Sequence, residues 1–234
     1  MANDSIELPD RPGGTSPHVI VEDVNAPLLN EEDLHHLEKV RRLRSRELVS
    51  VTDGVGAWRW CEFQASVLVP CADIQRVVKP EPVLTVGFAL VKGSKPELVV
   101  QKLTELGIDV ICPFVAERSV VRWDDSKIER QTERLTKVSR EASMQSRRVW
   151  LPDVRPVAMF SDLVRNSGVV RADRGGEALN SRHTTVLVGP EGGWSETEQE
   201  STPIVGIGQT VLRSETAAIA VGTLMVSLRD GRSL

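Results

Sequence analysis

The stretch TTVLVGPEGGWSETEQE, residues 184–200, decides the fold because it joins a strand pattern, a glycine turn and a helix start without a break. Residues 184–188 form a β-branched run that ends at Gly and Pro, which is too short for a helix and indicates a buried strand. Ser195 and Glu198 have the spacing of a capping box, which predicts that a helix begins there. The stretch is therefore typical of a strand end in an α/β domain.

The glycines between this strand and this helix suggest a binding function. Gly189, Gly192 and Gly193 allow positive φ and a close approach of the main chain to a nucleotide-like ligand. The stretch contains neither G-x-G-x-x-G nor G-x-x-x-x-G-K-[ST], so it predicts neither a dinucleotide fingerprint nor a P-loop. A plain connecting turn accounts for the local pattern equally well.

The composition predicts a folded chain without a membrane span. Its 234 residues are 40% hydrophobic and 26% charged, which suffices for one large or two small domains. The apolar segment Ala217–Leu228 is shorter than the ~18 residues that a membrane span requires. Residues 1–17 are polar and acidic, unlike a signal peptide. The three cysteines lack a C-x-x-C spacing, so we expect a cytoplasmic protein without a metal site.

Positive charge is concentrated in two parts of an acidic chain. The formal net charge is −4, yet between residues 117 and 148 basic residues outnumber acidic ones by nine to six. A second basic cluster lies within residues 39–46. Local basic surfaces on an acidic protein are typical of recognition of a defined RNA site. Solvated helix faces with i,i+4 ion pairs are the alternative.

The patterns divide the chain into three regions. Residues 1–17 are predicted to be a disordered extension, residues 18–80 a small, mostly β domain, and residues 81–234 an α/β domain. In the β domain we expect a strand over His18–Val24 and a helix from Asn30 to about Leu43. In the α/β domain the patterns predict strands at 83–91, 108–114, 168–172, 184–188 and 204–207, and helices at 97–106, 126–147 and 215–228. This alternation predicts a parallel sheet.

Two loops of the α/β domain are predicted to meet. The loops at 189–194 and 208–214 both follow the carboxyl end of a predicted strand. Such ends border the crevice in which α/β sheets tend to bind ligands. The helix after the second loop is apolar nearly all round between Thr216 and Gly222, so we expect it to be buried.

Several motifs carry a resemblance to a known family. VGPEGGWSETE, VLRSETAAIA, ELVVQKLTELGIDVICPF, ERSVVRW and REASMQSRR resemble motifs of the RsmE-type 16S ribosomal RNA uracil-N3 methyltransferases of the SPOUT superfamily. HHLEKVRRLRSRELVSVTDGVG resembles the small PUA-like β-barrel domain of that family. The resemblance extends from about His18 to Leu228. It implies an N-terminal PUA-like domain followed by a SPOUT-type parallel sheet with a deep trefoil knot.

The resemblance also implies an activity and its partners. The implied reaction is methylation of N3 of a specific uridine in 16S ribosomal RNA within the small ribosomal subunit, with S-adenosylmethionine as donor and without a metal. The implied assembly is a homodimer through the C-terminal domain, and no membrane is involved. The residues implied for the cofactor are Leu187, Val188, Gly189, Gly192, Gly193, Ile207, Leu212, Thr216 and Ala217. Those implied for RNA are His36, Arg42, Arg118, Arg122, Arg140, Gln145, Arg147 and Arg148.

The implied chemistry requires removal of the proton on uracil N3. Arg213 is the candidate for stabilising the negative charge that develops, and Glu215 or Glu191 is the candidate for accepting or relaying the proton. Each has a structural alternative: Arg213 can be an ion-pair partner, and Glu215 can be a first-turn carboxylate at a helix N-terminus. His36 can equally be a packed helix residue.

Two rival functions remain open on the sequence. One is a different SPOUT enzyme, which methylates a ribose 2′-hydroxyl or a tRNA base. The other is a noncatalytic RNA-binding or ribosome-assembly protein that keeps the fold. The intact GPEGG and LRSET loops argue against loss of catalysis.

Overall fold

The computed structural model describes residues 8–91, 93, 95–121 and 123–231. The chain forms two compact units, and each consists of two separate segments of the sequence. Unit 1 comprises Met1–Lys79 and Ser143–Leu151, and unit 2 comprises Pro80–Ala142 and Pro152–Leu234. The chain therefore enters unit 1 a second time between residues 143 and 151.

Unit 1 is built on a five-stranded mixed sheet. Its strand order is β1-β2-β3-β4, with β5 paired to β3. β1 runs parallel to β2, and the other pairs are antiparallel. Five of the eight residues of β3 and four of the five residues of β2 are buried, so these two central strands supply much of the core of this unit. The elements are β1 His18–Ile20, α1 Glu31–His35, a π-helical turn His36–Val40, β2 Leu48–Thr52, β3 Ala57–Gln64, β4 Val67–Pro70 and β5 Gln75–Arg76.

Two predicted elements of unit 1 are shorter than expected. The strand predicted over His18–Val24 ends at Ile20, and shortly beyond it the Asp23 carboxylate accepts the backbone N–H of Asn25, which forms a turn. The helix predicted to reach Leu43 starts after Asn30 as expected, but its π-helical continuation ends at Val40. Arg42 takes a φ of 52°, a conformation that no helix continues through.

Part of the N-terminal extension is held against unit 1. The Trp60 ring N–H donates to the carbonyl of Pro9 at 2.8 Å, and the Arg41 guanidinium donates to the carbonyl of Thr15 at 2.9 Å. The carbonyls of Pro9 and Thr15, in the predicted extension, thus have hydrogen-bond partners in unit 1. Residues 1–7 lie outside the described part of the chain.

The second passage of the chain through unit 1 is fixed by side-chain and main-chain bonds. Met144 packs against the hydrophobic core of this unit. The backbone N–H of Gly56 donates to the carbonyl of Val149 at 2.9 Å, and the N–H of Leu151 donates to the carbonyl of Gly54 at 2.9 Å. Gly56 has a φ of 102°, and a Cβ there would lie 2.6 Å from the Trp150 ring. The segment therefore behaves as part of this unit.

Unit 2 is an α/β domain with a seven-stranded parallel sheet, which confirms the predicted α/β class and the predicted parallel sheet. The strand order is β12-β10-β11-β6-β7-β8, with β9 paired to β7. Its strands are β6 Thr85–Ala89, β7 Val110–Val115, β8 Asp153–Val154, β9 Ala158–Met159, β10 Val169–Ala178, β11 Thr185–Val188 and β12 Ile204–Gly206. Its helices are α2 Lys95–Leu106, α3 Asp125–Ser146, α4 Phe160–Leu163, α5 Glu196–Ser201 and α6 Ser214–Arg229.

Strand β10 is longer and less regular than predicted. It continues past Ala172 to Ala178, and Val205 of β12 is paired with both Ala172 and Glu177. The four residues between these two pairs leave the ladder as an irregularity. A Cβ on Gly176 would lie 2.6 Å from the backbone of Val205, so glycine is required where the chain rejoins β12.

Helix α6 closes the main core of unit 2. It packs against α2, β6 and β11, and its small residues Ala218 and Gly222 are fully buried. A Cβ on Gly222 would lie 2.7 Å from the Leu103 side chain, so the two helices approach closely there. At its carboxyl end the Arg229 guanidinium pairs with the Asp109 carboxylate, both nearly buried. Among the described residues no helix combines the length and the apolar character that crossing a membrane demands.

The buried His18 should make unit 1 sensitive to acid. Its ring lies between Ser50 Oγ at 2.8 Å and the carbonyl of Arg148 at 3.1 Å, and burial lowers its pKa from 6.5 to about 4. In the unfolded chain His18 binds a proton near pH 6.5, whereas in the folded chain it binds one only near pH 4. The free energy of unfolding is therefore unaffected by this residue above about pH 6.5 and decreases as the pH falls from there towards 4. Urea denaturation should show a loss of about 2 kcal/mol between pH 7 and pH 5 from this residue.

The variant His18→Gln should lack that part of the pH dependence. His35→Gln, at an exposed histidine of the same unit, should behave like the unchanged chain. Equal acid sensitivity of His18→Gln and the unchanged chain would contradict the assignment.

The ion pair between Arg229 and Asp109 should be important for the stability of unit 2. Their side chains are only 7% and 3% exposed, so removing one partner leaves the other charge in a poorly solvated place. We expect Arg229→Met to lower the free energy of unfolding by about 3–5 kcal/mol, measured by urea denaturation. Arg165→Met, which removes the exposed pair with Asp162, should cost less than about 1 kcal/mol. Similar losses in the two variants would refute this prediction.

Candidate active site

The glycine turn after β11 is shaped by a tryptophan. Trp194 is 4% exposed, and its ring N–H donates to the carbonyl of Ala172 on β10 at 3.2 Å. A Cβ on Gly189 would lie 2.7 Å from the Trp194 ring. The Trp194 ring therefore requires glycine at position 189. Gly193 has a φ of 72°, the positive φ that the sequence predicted for this turn.

The predicted capping box is present and has a second function. Glu198 is 2% exposed; one carboxylate oxygen accepts the backbone N–H of Ser195 at 2.9 Å, as the box requires. Its other oxygen accepts the backbone N–H of Glu117 at 2.9 Å. One buried carboxylate thus holds the start of α5 next to the segment that follows β7.

The two loops predicted to converge do meet. The hydroxyl of Ser214, the first residue of α6, donates to the carbonyl of Gly189 at 2.9 Å. Arg213 is the N-cap residue of α6 and is exposed; within the described residues its side chain makes no capping hydrogen bond. The end of β11 and the start of α6 therefore form one continuous rim.

An open cleft lies beside this rim, where three neighbouring strands end. Its walls come from residues after β6, after β7 and after β11. Leu90, Val91, Val120, Val121 and Pro190 supply apolar surface, and Lys95, Arg118 and Glu191 supply charge. This is the edge of a parallel sheet at which α/β proteins bind ligands.

Lys95 links two carboxylates at this cleft. Its ammonium donates to Glu191 Oε1 at 2.9 Å and lies 3.1 Å from Glu215 Oε1. The hydrogen bonds to Glu191 and Glu215 raise the pKa of the lysine, so it keeps its charge at neutral pH. The side chain of Glu191 is 60% exposed, whereas that of Glu215 is 14% exposed. Glu215 Oε2 is buried and has no hydrogen-bond partner among the described residues.

The residues predicted to hold a cofactor differ in how far they are buried. Leu187 and Val188 are each buried in a hydrophobic cluster, so their side chains serve the packing of the core. Ile207 and Leu212 are half-buried beside the main core. The remaining positions on the glycine turn and on the first turn of α6 are Gly189, Gly192, Gly193, Thr216 and Ala217.

The residues predicted to bind RNA fall in both units. In unit 2, Arg118 donates to the carbonyl of Gly192 at 3.4 Å, and Arg140 lies on α3. In unit 1, His36 is exposed rather than packed, as are Arg42 and Gln145. Arg147 donates to the carbonyl of Gly14, and Arg148 Nε donates to the carbonyl of Trp150 at 2.9 Å. Arg122 lies outside the described residues.

The sequence analysis missed three residues that organise the site. Lys95 was assigned to a loop, although α2 begins there. Ser214 was seen only as part of a loop, and the second hydrogen bond of Glu198 was not foreseen. One local signal existed: a lysine in the first turn of a helix opposes the helix dipole and suggests a specific partner. In the described part of the chain, no group of three His, Cys, Asp or Glu side chains is placed to hold a metal ion.

Comparisons with known proteins agree with this architecture. Residues 79–226 match the model of a family described as RNA methyltransferase domain. Ribosomal RNA small subunit methyltransferase E of Bacillus subtilis is 30% identical over 221 residues, which cover 80% of this chain and 84% of that protein.

Two solved structures share the fold. A Legionella pneumophila methyltransferase in complex with bound SAM aligns over 90% of this chain and 96% of its own, with a TM-score of 0.79 and 24% identity. Ribosomal RNA small subunit methyltransferase E from Neisseria gonorrhoeae, bound to S-adenosyl methionine, aligns over 91% and 98%, with a TM-score of 0.77 and 24% identity. The family match and the identity to the Bacillus relative confirm the resemblance seen in the motifs. The chain belongs to the ribosomal RNA small subunit methyltransferase E family.

Proposed function

We propose that this protein transfers the methyl group of S-adenosylmethionine to N3 of a specific uridine in 16S ribosomal RNA of the small ribosomal subunit. The observation that carries the proposal is the hydrogen bond between Ser214 and Gly189, which joins the two family motifs into one rim beside a cleft. Relatives of the same family are named ribosomal RNA small subunit methyltransferase E, and a structure of the same fold was solved with S-adenosyl methionine bound.

The residues of the rim suit a nucleoside with an attached amino acid. The turn exposes the main chain of Gly192 and Gly193, and Ile207 and Leu212 offer partly buried apolar surface for an aromatic base. Glu215 Oε2 is a buried acceptor without a partner in the described residues, an arrangement that costs stability unless a ligand donates to it. Bound there, S-adenosylmethionine would supply an activated methyl group, so the protein mainly has to align the reactants.

The protein must also make uracil N3 nucleophilic. Glu191 and Glu215 lie on either side of the Lys95 ammonium and are the candidates for taking the N3 proton. Arg213, exposed where α6 begins, is the candidate for stabilising negative charge on the deprotonated base.

Recognition of the RNA should use both units. Arg118 beside the glycine turn and Arg140 on α3 are suited to phosphate contacts from unit 2. His36, Arg42 and Gln145 are exposed in unit 1, and Arg147 and Arg148 of the same unit are the remaining candidates for contacts with the RNA. We infer that unit 1 is the PUA-like RNA-binding domain of the family, and that Arg122 contributes to the same recognition.

The topology supports the knot that the resemblance implies. Strand β12 lies outside β10 at the edge of the sheet, yet α6 packs over β6 and β11 on the other side of β10. The chain therefore crosses β10 between β12 and α6, as a trefoil knot requires. We infer that unit 2 contains this knot, a topology that is rare among folds.

The proposed assembly is a cytoplasmic homodimer formed through unit 2. Helix α6 keeps a row of incompletely buried residues at helical spacing, namely Thr216, Ile219, Ala220 and Thr223. Small side chains in such a row allow a second helix to approach closely.

The first test is methyl transfer itself. We expect label from S-adenosylmethionine to appear as N3-methyluridine in small subunits that lack this modification, with free 16S RNA and tRNA assayed alongside and nucleosides identified by mass. Arg213→Ala should lower kcat by about 100-fold. The control is Arg165→Ala, which changes an exposed arginine just after the end of α4 and should leave the rate unchanged. Label in a ribose or in tRNA would refute the proposed substrate and indicate a different methyltransferase activity. Binding of S-adenosylmethionine without label on any RNA would indicate a noncatalytic protein.

The second test concerns the hydrogen bond that joins the two loops. Ser214→Ala removes the donor to Gly189 and should weaken binding of S-adenosylmethionine about 5- to 30-fold by calorimetry, the equivalent of about 1–2 kcal/mol. Thr136→Ala, which removes an exposed hydroxyl bonded within helix α3, should leave the Kd unchanged. Equal affinities of the two variants would show that the loops do not need this bond.

A further inference from the structure

The cleft beside the rim combines apolar walls with a few charged side chains. Leu90 and Pro190 are buried, and Val120 is 74% exposed, so the cleft presents apolar surface at its base and at its mouth. A flat aromatic ring is the kind of group that such walls accept. We name this feature, with its charged residues Lys95, Arg118 and Glu191, the base cleft.

The charged groups of the base cleft are held in place by several contacts. Lys95 bridges Glu191 and Glu215, which come from the turn after β11 and from the start of α6. Arg118 reaches the carbonyl of Gly192, the residue next to Glu191. The two cations and the exposed carboxylate therefore border the same turn.

Lys95 occupies a position that the helix itself does not favour. It is the first residue of α2, where the partial positive charge of the helix N-terminus disfavours a cation. The two carboxylates compensate for this and keep the ammonium charged. A locally unfavourable residue that two distant loops stabilise is typical of a functional site.

The chemistry of these three groups matches one edge of uracil. That edge presents a carbonyl oxygen, the N3–H and a second carbonyl oxygen, hence an acceptor, a donor and an acceptor. Lys95 and Arg118 can only donate, and the Glu191 carboxylate can only accept. Cytosine has an amino group in place of one of these carbonyls and a lone pair in place of the N3–H. A cationic donor would then face the amino donor, and the Glu191 carboxylate would face the N3 lone pair, so cytosine fits poorly.

We propose that the base cleft receives the target uracil, with Lys95 and Arg118 donating to the carbonyl oxygens that flank N3 and Glu191 accepting the N3 proton. This inference rests on the proposed function and deepens it, because it assigns the pocket of the target base and selects Glu191 over Glu215. An enzyme that acts on a base in folded RNA must first take that base out of its stack, and an open cleft at the surface suits an extruded base.

The exposure of the two carboxylates decides between them. The N3–H bond breaks as its proton passes to Glu191, the N3 electron pair bonds to the methyl carbon, and the electrons of the carbon–sulfur bond return to sulfur, which becomes a neutral thioether. Glu191 must then release the proton, which its 60% exposed side chain can do directly to water. Glu215, at 14% exposure, lies behind the ammonium and serves as a positioning residue for Lys95.

Kinetics over a range of pH test these roles. With small ribosomal subunits as substrate, Glu191→Gln should lower kcat by about 100-fold or more and abolish the fall of kcat towards acid pH, because the group that accepts the N3 proton has been removed. Glu215→Gln should keep that fall. Both should bind S-adenosylhomocysteine measurably by calorimetry, which shows that the rim is intact.

Lys95 has a matched control on the same helix. Lys95→Met should lower kcat more than tenfold. In this variant the decrease of kcat on acidification should begin at a higher pH, because the positive charge next to Glu191 is gone. Lys95→Arg should restore most of the rate. Lys102→Met removes a lysine of α2 that pairs only with Glu105 in the described structure, and should leave both kcat and the pH profile unchanged. A Glu191→Gln variant with a rate within threefold of the unchanged enzyme, or a Lys95→Met variant indistinguishable from Lys102→Met, would overturn the proposal.

Nucleotide binding tests the base cleft independently of turnover. In the presence of S-adenosylhomocysteine, uridine 5′-monophosphate at millimolar concentration should shift the amide NMR signals of Val120, Val121 and Gly192, and cytidine 5′-monophosphate should not. The selectivity should be lost in Lys95→Met. Methyl transfer without uridine-selective shifts would refute the base cleft alone, whereas selective shifts without methyl transfer to any RNA would refute the proposed reaction and leave a uracil-binding pocket.

Discussion

The organisation of the site depends on one buried carboxylate. Glu198 accepts two backbone N–H groups, from Ser195 and from Glu117, with one oxygen each. Charge-assisted hydrogen bonds of this kind are roughly twice as strong as neutral ones, and the geometry of both donors is fixed by the backbone. The first bond sets where the glycine turn ends and α5 begins. The second sets the course of the segment after β7, so two walls of the base cleft take their positions from one side chain.

The parallel sheet then explains why chemistry gathers at one edge. Three adjacent strands, β11, β6 and β7, run in the same direction and end together, and each is followed by a segment that bears a charged or glycine-rich stretch. Tertiary packing adds what the strands alone cannot provide. Trp194 presses on Gly189, and Ser214 bonds to the same residue, so the turn is held from both sides. Rigid support of this kind limits the rearrangement that binding has to impose.

Local patterns predicted much of this architecture, and their failures have a common cause. The strand, the capping box and the helix between 184 and 200 were correct because each depends on neighbours within a few residues. The two-residue strands β8 and β9 and the irregular part of β10 were not predicted, since they exist only through pairing with distant strands. Lys95 was missed for the same reason, because its partners are about a hundred residues further along the chain.

The second passage of the chain through unit 1 restricts how this protein can be divided. Helix α3 begins in unit 2 and its last turn belongs to unit 1, where Met144 joins the core and the main chain of Val149 and Leu151 completes hydrogen bonds of the Gly54–Gly56 turn. No single cut of the polypeptide therefore separates one complete unit from the other. A fragment that ends at Lys79 would lack the residues 143–151 that complete the core of unit 1.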